Sequence, residues 1–119
     1  MTALVIDHEC FDGLDGALAD IRARGLWPTS FALDEGLGAP MHWHTDEVWI
    51  YLVAGRTSVS DGAGNWTGLA AGSRLRIPPR VLHQEGPVDE PLQLIVALPE
   101  PRSQADFLKA FPPEELPSE

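Results

Sequence analysis

Four histidines, His8, His42, His44 and His83, are the residues best suited to chemistry in this chain. His42 and His44 stand two apart in a stretch that reads as β-strand. Side chains two apart on a strand point the same way, so these imidazoles share a face. Paired neutral imidazoles form half of a site for Zn, Fe, Ni, Cu or a similar ion. Asp46 and Glu47 follow at once with carboxylates, and His83 lies on another strand beyond a turn marked by glycine and proline. A pair of histidines on one strand also fits a surface pair beside an acidic loop. His8 reads as a surface residue. Cys10 has no patterned histidine partner and reads as structural.

Arg74 and Arg76 alternate with Leu75 and Ile77 and so share a face, with Arg80 close behind. Facing inward, the two guanidinium groups could hold a carboxylate substrate bidentately. Facing outward, they pair with surface acids, and the cost of uncompensated charge inside a small barrel favours this. Trp43, Trp49, Tyr51 and Trp66 lie near the same strands and suit sheet packing or a subunit interface. Trp49 lines a pocket if Glu47 turns inward, because the two residues then share a face.

The elements that must position these residues are mostly short strands. Ala3–Asp7, Trp27–Leu33, Met41–Thr45, Val48–Ala54, Thr57–Ser60, Trp66–Leu69, Ser73–Ile77, Val81–Gln84 and Leu92–Leu98 read as strands separated by turn residues. Strands at such close spacing predict an all-β sandwich or barrel. Asp12–Arg24 reads as a helix with Leu14, Leu18 and Ile21 on one face and Gly25 as its stop. Ser103 and Asp106 form a capping-box pattern that predicts a second short helix carrying Phe107, Leu108 and Phe111. Pro112 and Pro113 end it, and residues 114–119 read as a loose tail.

With 119 residues the chain suits one domain, its barrel core at about residues 27–99 and a C-terminal helix and tail at 100–119. Acidic residues number 18 against 8 Lys and Arg, a formal charge of -10. That balance argues against nucleic acid and anionic membranes as partners. The longest apolar runs are far short of a membrane span. One cysteine and no N-terminal hydrophobic leader fit a cytoplasmic protein. Aromatic strand faces and an N-terminal strand free to pair predict a homodimer.

The spacing of these residues resembles the cupin family. Gly36, five residues, His42-Trp43-His44 and a closing Gly55 follow the family's first motif. Gly72, five residues, Pro78 and then His83 follow its second. The resemblance implies a double-stranded β-helix, a jelly-roll barrel. It also implies one divalent transition metal ion per chain (Fe, Mn, Ni or Zn), held by His42, His44, a glutamate and His83. The family contains metal-dependent oxygenases and isomerases acting on small oxygenated or carboxylate-bearing molecules, and also non-catalytic binders of small molecules or metals. Either role is open here.

Two departures bear on the site. At the position of the family's motif glutamate this chain has Val48, with Glu47 one residue early. A slip of one residue turns a strand side chain to the other face. A bulge at Thr45–Asp46 could bring Glu47 in, Asp46 could take its place, or three histidines could suffice. The expected ligand set is His42, His44, Glu47 and His83. In the second motif Arg80 stands where the family has glycine, which demands a turn that tolerates a Cβ.

Overall fold

The computed structural model describes residues 3–117, so Met1, Thr2 and the last two residues of the expected tail, 118–119, lie outside it. The strands are β1 (Val5–Asp7), β2 (Trp27–Leu33), β3 (Ala39–His42), β4 (Val48–Ala54), β5 (Arg56–Asp61), β6 (Trp66–Ala70), β7 (Arg74–Ile77), β8 (His83–Glu85) and β9 (Leu92–Leu98). A helix, α1 (Gly13–Ala23), follows β1. The strands form a five-stranded sheet in the order β1-β7-β4-β9-β2 and a four-stranded sheet in the order β3-β8-β5-β6, all pairings antiparallel. This is the all-β architecture expected from the spacing of the strands, in the jelly-roll form that the family resemblance implies.

β4 and β9 are almost wholly apolar because both of their faces are buried. Val48 and Leu52 of β4, with Leu92, Val96 and Leu98 of β9, meet Val59 and Leu69 of the opposite sheet. Trp49 and Tyr51, with Ile95 and Ala97, instead meet Ala17 and Ile21 of α1. A strand covered on both sides loses the polar–apolar alternation of a half-exposed one. The contact face of α1 differs from expectation. Ala17 and Ile21 are buried, whereas Leu14 and Leu18 stay exposed. The small Ala17 lets the helix backbone approach the sheet.

Two turns have backbone requirements. Gly55 joins β4 to β5 with φ +89°, and a Cβ there would strike the Pro91 carbonyl. Arg80 takes a left-handed conformation, φ 63°, and its N–H donates to the His44 carbonyl at 2.8 Å. The turn therefore tolerates the side chain where the family motif has glycine.

The expected C-terminal helix is corrected. Its start exists: the Ser103 hydroxyl donates to Asp106 Oδ2 at 3.1 Å and accepts from the Asp106 N–H at 3.3 Å. The helix does not propagate, since Leu108 turns left-handed at φ 52° and the segment runs on as turns to a 3-10 turn at Pro113–Glu115. Before Pro112 there are too few residues to offset helix nucleation, and the aromatics have better partners in the barrel. Phe107 stacks on Phe31 of β2 at 5.9 Å, and Phe111 stacks on Trp43 at 4.7 Å while the two exchange backbone hydrogen bonds. Trp43 thus leaves the expected strand Met41–Thr45 to pair with the tail, and β3 ends at His42.

Candidate metal centre

His42 of β3 lies directly opposite His83 of β8, and His44 follows two residues after His42. Strand alternation and cross-strand pairing thus aim three imidazoles at one point. Their ring centroids are 4.2 Å (His42–His83), 4.9 Å (His42–His44) and 5.2 Å (His44–His83) apart. One ring nitrogen from each lies within 4.8 Å of the others. All three residues are buried.

Each ring is held from behind by a backbone carbonyl. Nδ1 of His42 meets the Pro40 oxygen at 2.6 Å, Nδ1 of His44 the Lys109 oxygen at 3.0 Å, and Nδ1 of His83 the Val81 oxygen at 2.9 Å. A carbonyl only accepts, so each Nδ1 carries the hydrogen and each Nε2 presents a lone pair. This is how proteins fix the tautomer and orientation of imidazoles that bind metal. Burial pushes His83 down to about 4 and also lowers His44, so both are neutral at pH 7. A metal requires that form.

One further group faces the cluster. Glu85 Oε2 lies 3.4 Å from His42 Nε2 and 3.8 Å from His83 Nε2. Burial raises the Glu85 carboxyl, and the nearby His42 pulls the other way. Glu85 Oε2 and His83 Nε2 are fully buried, and neither has a hydrogen-bond partner. A fully buried lone pair without a partner is rare and marks the place of an ion or water. Three imidazole nitrogens, with an oxygen nearby, fit a divalent transition ion. Glu85 was absent from the sequence reading, although the signal existed: it stands two residues after His83, the spacing that joins His42 to His44.

The other residues singled out in the sequence lie elsewhere. Glu47 is not among the imidazoles, and its Oε1 accepts from the Trp49 indole at 2.7 Å. It shares the β4 face of Trp49 and Tyr51, turned toward α1, while Val48 points between the sheets. Asp46 accepts from Arg102 Nη2 and Nε, at 2.6 and 3.0 Å. The irregularity near the site falls in β3, between Ala39 and His42, not at Thr45–Asp46. Arg74 is in its outward setting, donating to Asp7 at 2.8 Å and to Asp20 at 2.9 Å. Arg76, with Arg74 and Arg24, lies over the Trp49 ring, 4.9 to 5.6 Å from its centroid. Trp49, Arg74 and Arg76 therefore sit on the sheet face away from the barrel interior, not against a ligand pocket.

The interior itself holds a cavity of about 420 Å³. His44, His83 and Glu85 line one part of it, and Phe31, Ile50, Leu75 and Val96 line much of the rest. Among the described residues no Lys or Arg lines it, and its charged members are Glu35 and Glu85.

Solved structures share this fold at low identity. A conserved protein of unknown function from Streptococcus pyogenes matches with a TM-score of 0.53 at 19% identity, over 66% of this chain and 68% of its own. A DMSP lyase from Ruegeria pomeroyi matches at 0.57 and 19% identity, over 74% of this chain and 43% of its own. Salicylate 1,2-dioxygenase from Pseudoaminobacter salicylatoxidans, in adducts with gentisate, matches at 0.53 and 16% identity, over 63% of this chain and 20% of its own. At these identities the likeness is one of fold, and the chain spans less than half of the last two proteins. No curated protein matches the sequence. A family model for the cupin domain matches residues 30–98, more than half the chain, and that stretch includes His42, His44 and His83. The histidine spacing that resembles the cupin motifs is thus carried on a matching fold and sequence profile, and the chain belongs to the cupin family.

Proposed function

We propose that the protein binds one divalent transition metal ion per chain on His42, His44 and His83 and uses it, as a metal-dependent enzyme, on a small molecule held in the barrel. The observation that carries this reading is the convergence of three buried, carbonyl-anchored imidazoles, two of which, His44 and His83, line the cavity. When bound, such an ion supplies Lewis acidity toward an oxygen of the ligand. The chain does the rest: the carbonyls of Pro40, Lys109 and Val81 hold the imidazoles in register, and the apolar walls exclude water.

The walls also narrow the ligand class. Without a Lys or Arg among the described lining residues, only the metal end can offset a carboxylate or phosphate. A ring of hydroxyl groups would leave several unpaired against Leu75 and Val96, at a cost of roughly 1–3 kcal/mol each. The cavity thus suits a molecule with one oxygen-bearing head and an apolar body, and suits oxygenase-type chemistry better than isomerisation of a phosphosugar. The half-buried free thiol of Cys10 supports placement in the cytoplasm.

The test is metal analysis of untagged protein, followed by titration of metal-stripped protein with Zn²⁺ and Mn²⁺. Near-stoichiometric binding by the wild type, with loss of binding in His42→Ala, His44→Ala and His83→Ala, is expected. A wild type that neither carries nor takes up a metal overturns the reading, and so does a His44→Ala variant that binds normally.

A further inference from the structure

Building on the proposed metal site, we infer that Glu85, on the second motif's strand, is a direct metal ligand and takes the place that Glu47 cannot reach. β8 presents His83 and Glu85 two residues apart, hence on one face, and pairs His83 with His42. Strand geometry therefore puts the carboxylate beside the imidazoles without any bulge on its own strand. Ala39, opposite Glu85, and His42, opposite His83, are separated by an extra residue on β3, so the bulge lies on the partner strand.

Two distances fit a shared ion, although Glu85 stands outside the group of His42, His44 and His83 whose ligand atoms all lie within 4.8 Å of one another. Its carboxylate would therefore have to move toward His44 on binding. Ligand atoms at about 2.1 Å from one ion stand roughly 3.0–3.4 Å from each other, depending on geometry. Glu85 Oε2 is 3.4 Å from His42 Nε2, at the upper end of that range, and 3.8 Å from His83 Nε2, a few tenths of an ångström beyond it. Since each Nδ1 carries its ring's hydrogen, the Nε2 lone pairs face an oxygen that also carries lone pairs. Two buried acceptors opposed in this way repel unless something positive lies between them. His83 Nε2 and Glu85 Oε2, both buried and without a hydrogen-bond partner, are atoms that an ion between them would satisfy.

Rival carboxylates are engaged elsewhere. Glu47 is hydrogen-bonded to Trp49, and Asp46 forms a two-point contact with Arg102. Val48, at the position of the family motif's glutamate, belongs to the apolar core between the sheets. The donor set is then three nitrogens and one hard oxygen, with its carboxylate on the opposite sheet from β4. That carboxylate removes one unit of the ion's charge and adds a donor that suits Fe and Mn as well as Zn.

The test uses the full untagged chain, stripped of metal and titrated with Co²⁺, whose visible absorption reports its ligands. Wild type, Glu85→Gln and Glu47→Gln are compared. Glu85→Gln should weaken Co²⁺ binding by more than 100-fold, beyond the roughly 10–100-fold typical of residues that only orient a ligand, and should alter the visible bands. Glu47→Gln should change neither. Bands unchanged in Glu85→Gln, with affinity within tenfold of wild type, overturn the assignment while leaving the three-histidine site intact. A wild type that takes up no Co²⁺ overturns the metal reading itself. Should Glu85→Gln fail to fold, Glu85→Asp carries the same comparison. Drawing the carboxylate back by one carbon should weaken Co²⁺ and shift its bands, whereas wild-type affinity and bands overturn the assignment.

Discussion

Arg80 combines two demands in one residue. Its N–H holds the carbonyl of His44 at 2.8 Å, and it does so from a left-handed backbone with φ 63°. That conformation costs a residue with a Cβ about 1–2 kcal/mol, while glycine there adds unfolded-state freedom worth about 0.5–1 kcal/mol. The first effect is larger, so Arg80→Gly should raise Tm by a few degrees and leave Zn²⁺ affinity unchanged, as read by calorimetry with and without the metal. The histidines were legible for a simple reason: a spacing of two on a strand fixes the shared face whatever the strand's partners. Glu47 was ambiguous, because its direction depended on whether β4 began with a bulge. Glu85 obeyed the same rule of two as the histidines, but the family pattern drew attention to the carboxylates beside His44 instead.

At the scale of elements, α1 is fastened to β4 by a half-buried acid, Asp20. Asp20 accepts from the Tyr51 hydroxyl at 2.6 Å, from Arg74 at 2.9 Å and from Arg24 at 3.0 Å. Burial alone would raise its carboxyl, but the hydrogen bonds from Tyr51, Arg74 and Arg24 outweigh it and hold the carboxyl below the usual 3.8. The folded state therefore binds this proton less readily than the unfolded chain does. The associated stability is complete above about pH 4 and fades as pH falls through the folded value. Asp20→Asn should cost about 2 kcal/mol at pH 7, and urea melts should show the gap to wild type closing toward pH 2. An equal gap at both pH values would show that the lost contacts are not charge-assisted. β2, β4 and β9 match the sequence reading residue for residue: turn residues bound all three, and continuous apolar runs mark β4 and β9, but not the largely exposed β2, as covered on both faces. The C-terminal segment did not follow its capping signal. A local start signal says nothing of the aromatic partners, Phe31 and Trp43, that tertiary contact supplies.

For the whole molecule, the unpaired side of β2 is the feature with consequences for assembly. β2 ends the five-stranded sheet, contains no charged residue, and leaves Trp27 55% and Leu33 42% exposed. Edges left free of charge invite pairing with another strand. A dimer joined β2 to β2 is the expected species in light scattering, with Trp27→Lys shifting it toward monomer. A wild-type species of 13.0 kDa at high micromolar concentration would count against that interface. Core packing is testable independently. Leu75 is buried between the sheets and lines the cavity, so Leu75→Ala should cost about 2–5 kcal/mol in chemical denaturation while enlarging the space for ligand.

The grip of the Lys109 carbonyl on the back of His44 has a reciprocal side. A cation on Nε2 and the chain terminus on Nδ1 hold the same ring from opposite edges. Whatever docking of that terminus adds to cation affinity, the cation must return to docking. Lys109 is itself exposed and so open to trypsin. Scission after Lys109 should slow when Zn²⁺ is added and return to its original rate with a chelator, making the protease a clock for occupancy of a centre it never touches. Identical cleavage rates in both conditions would show that His44 keeps its orientation without help from the end of the chain.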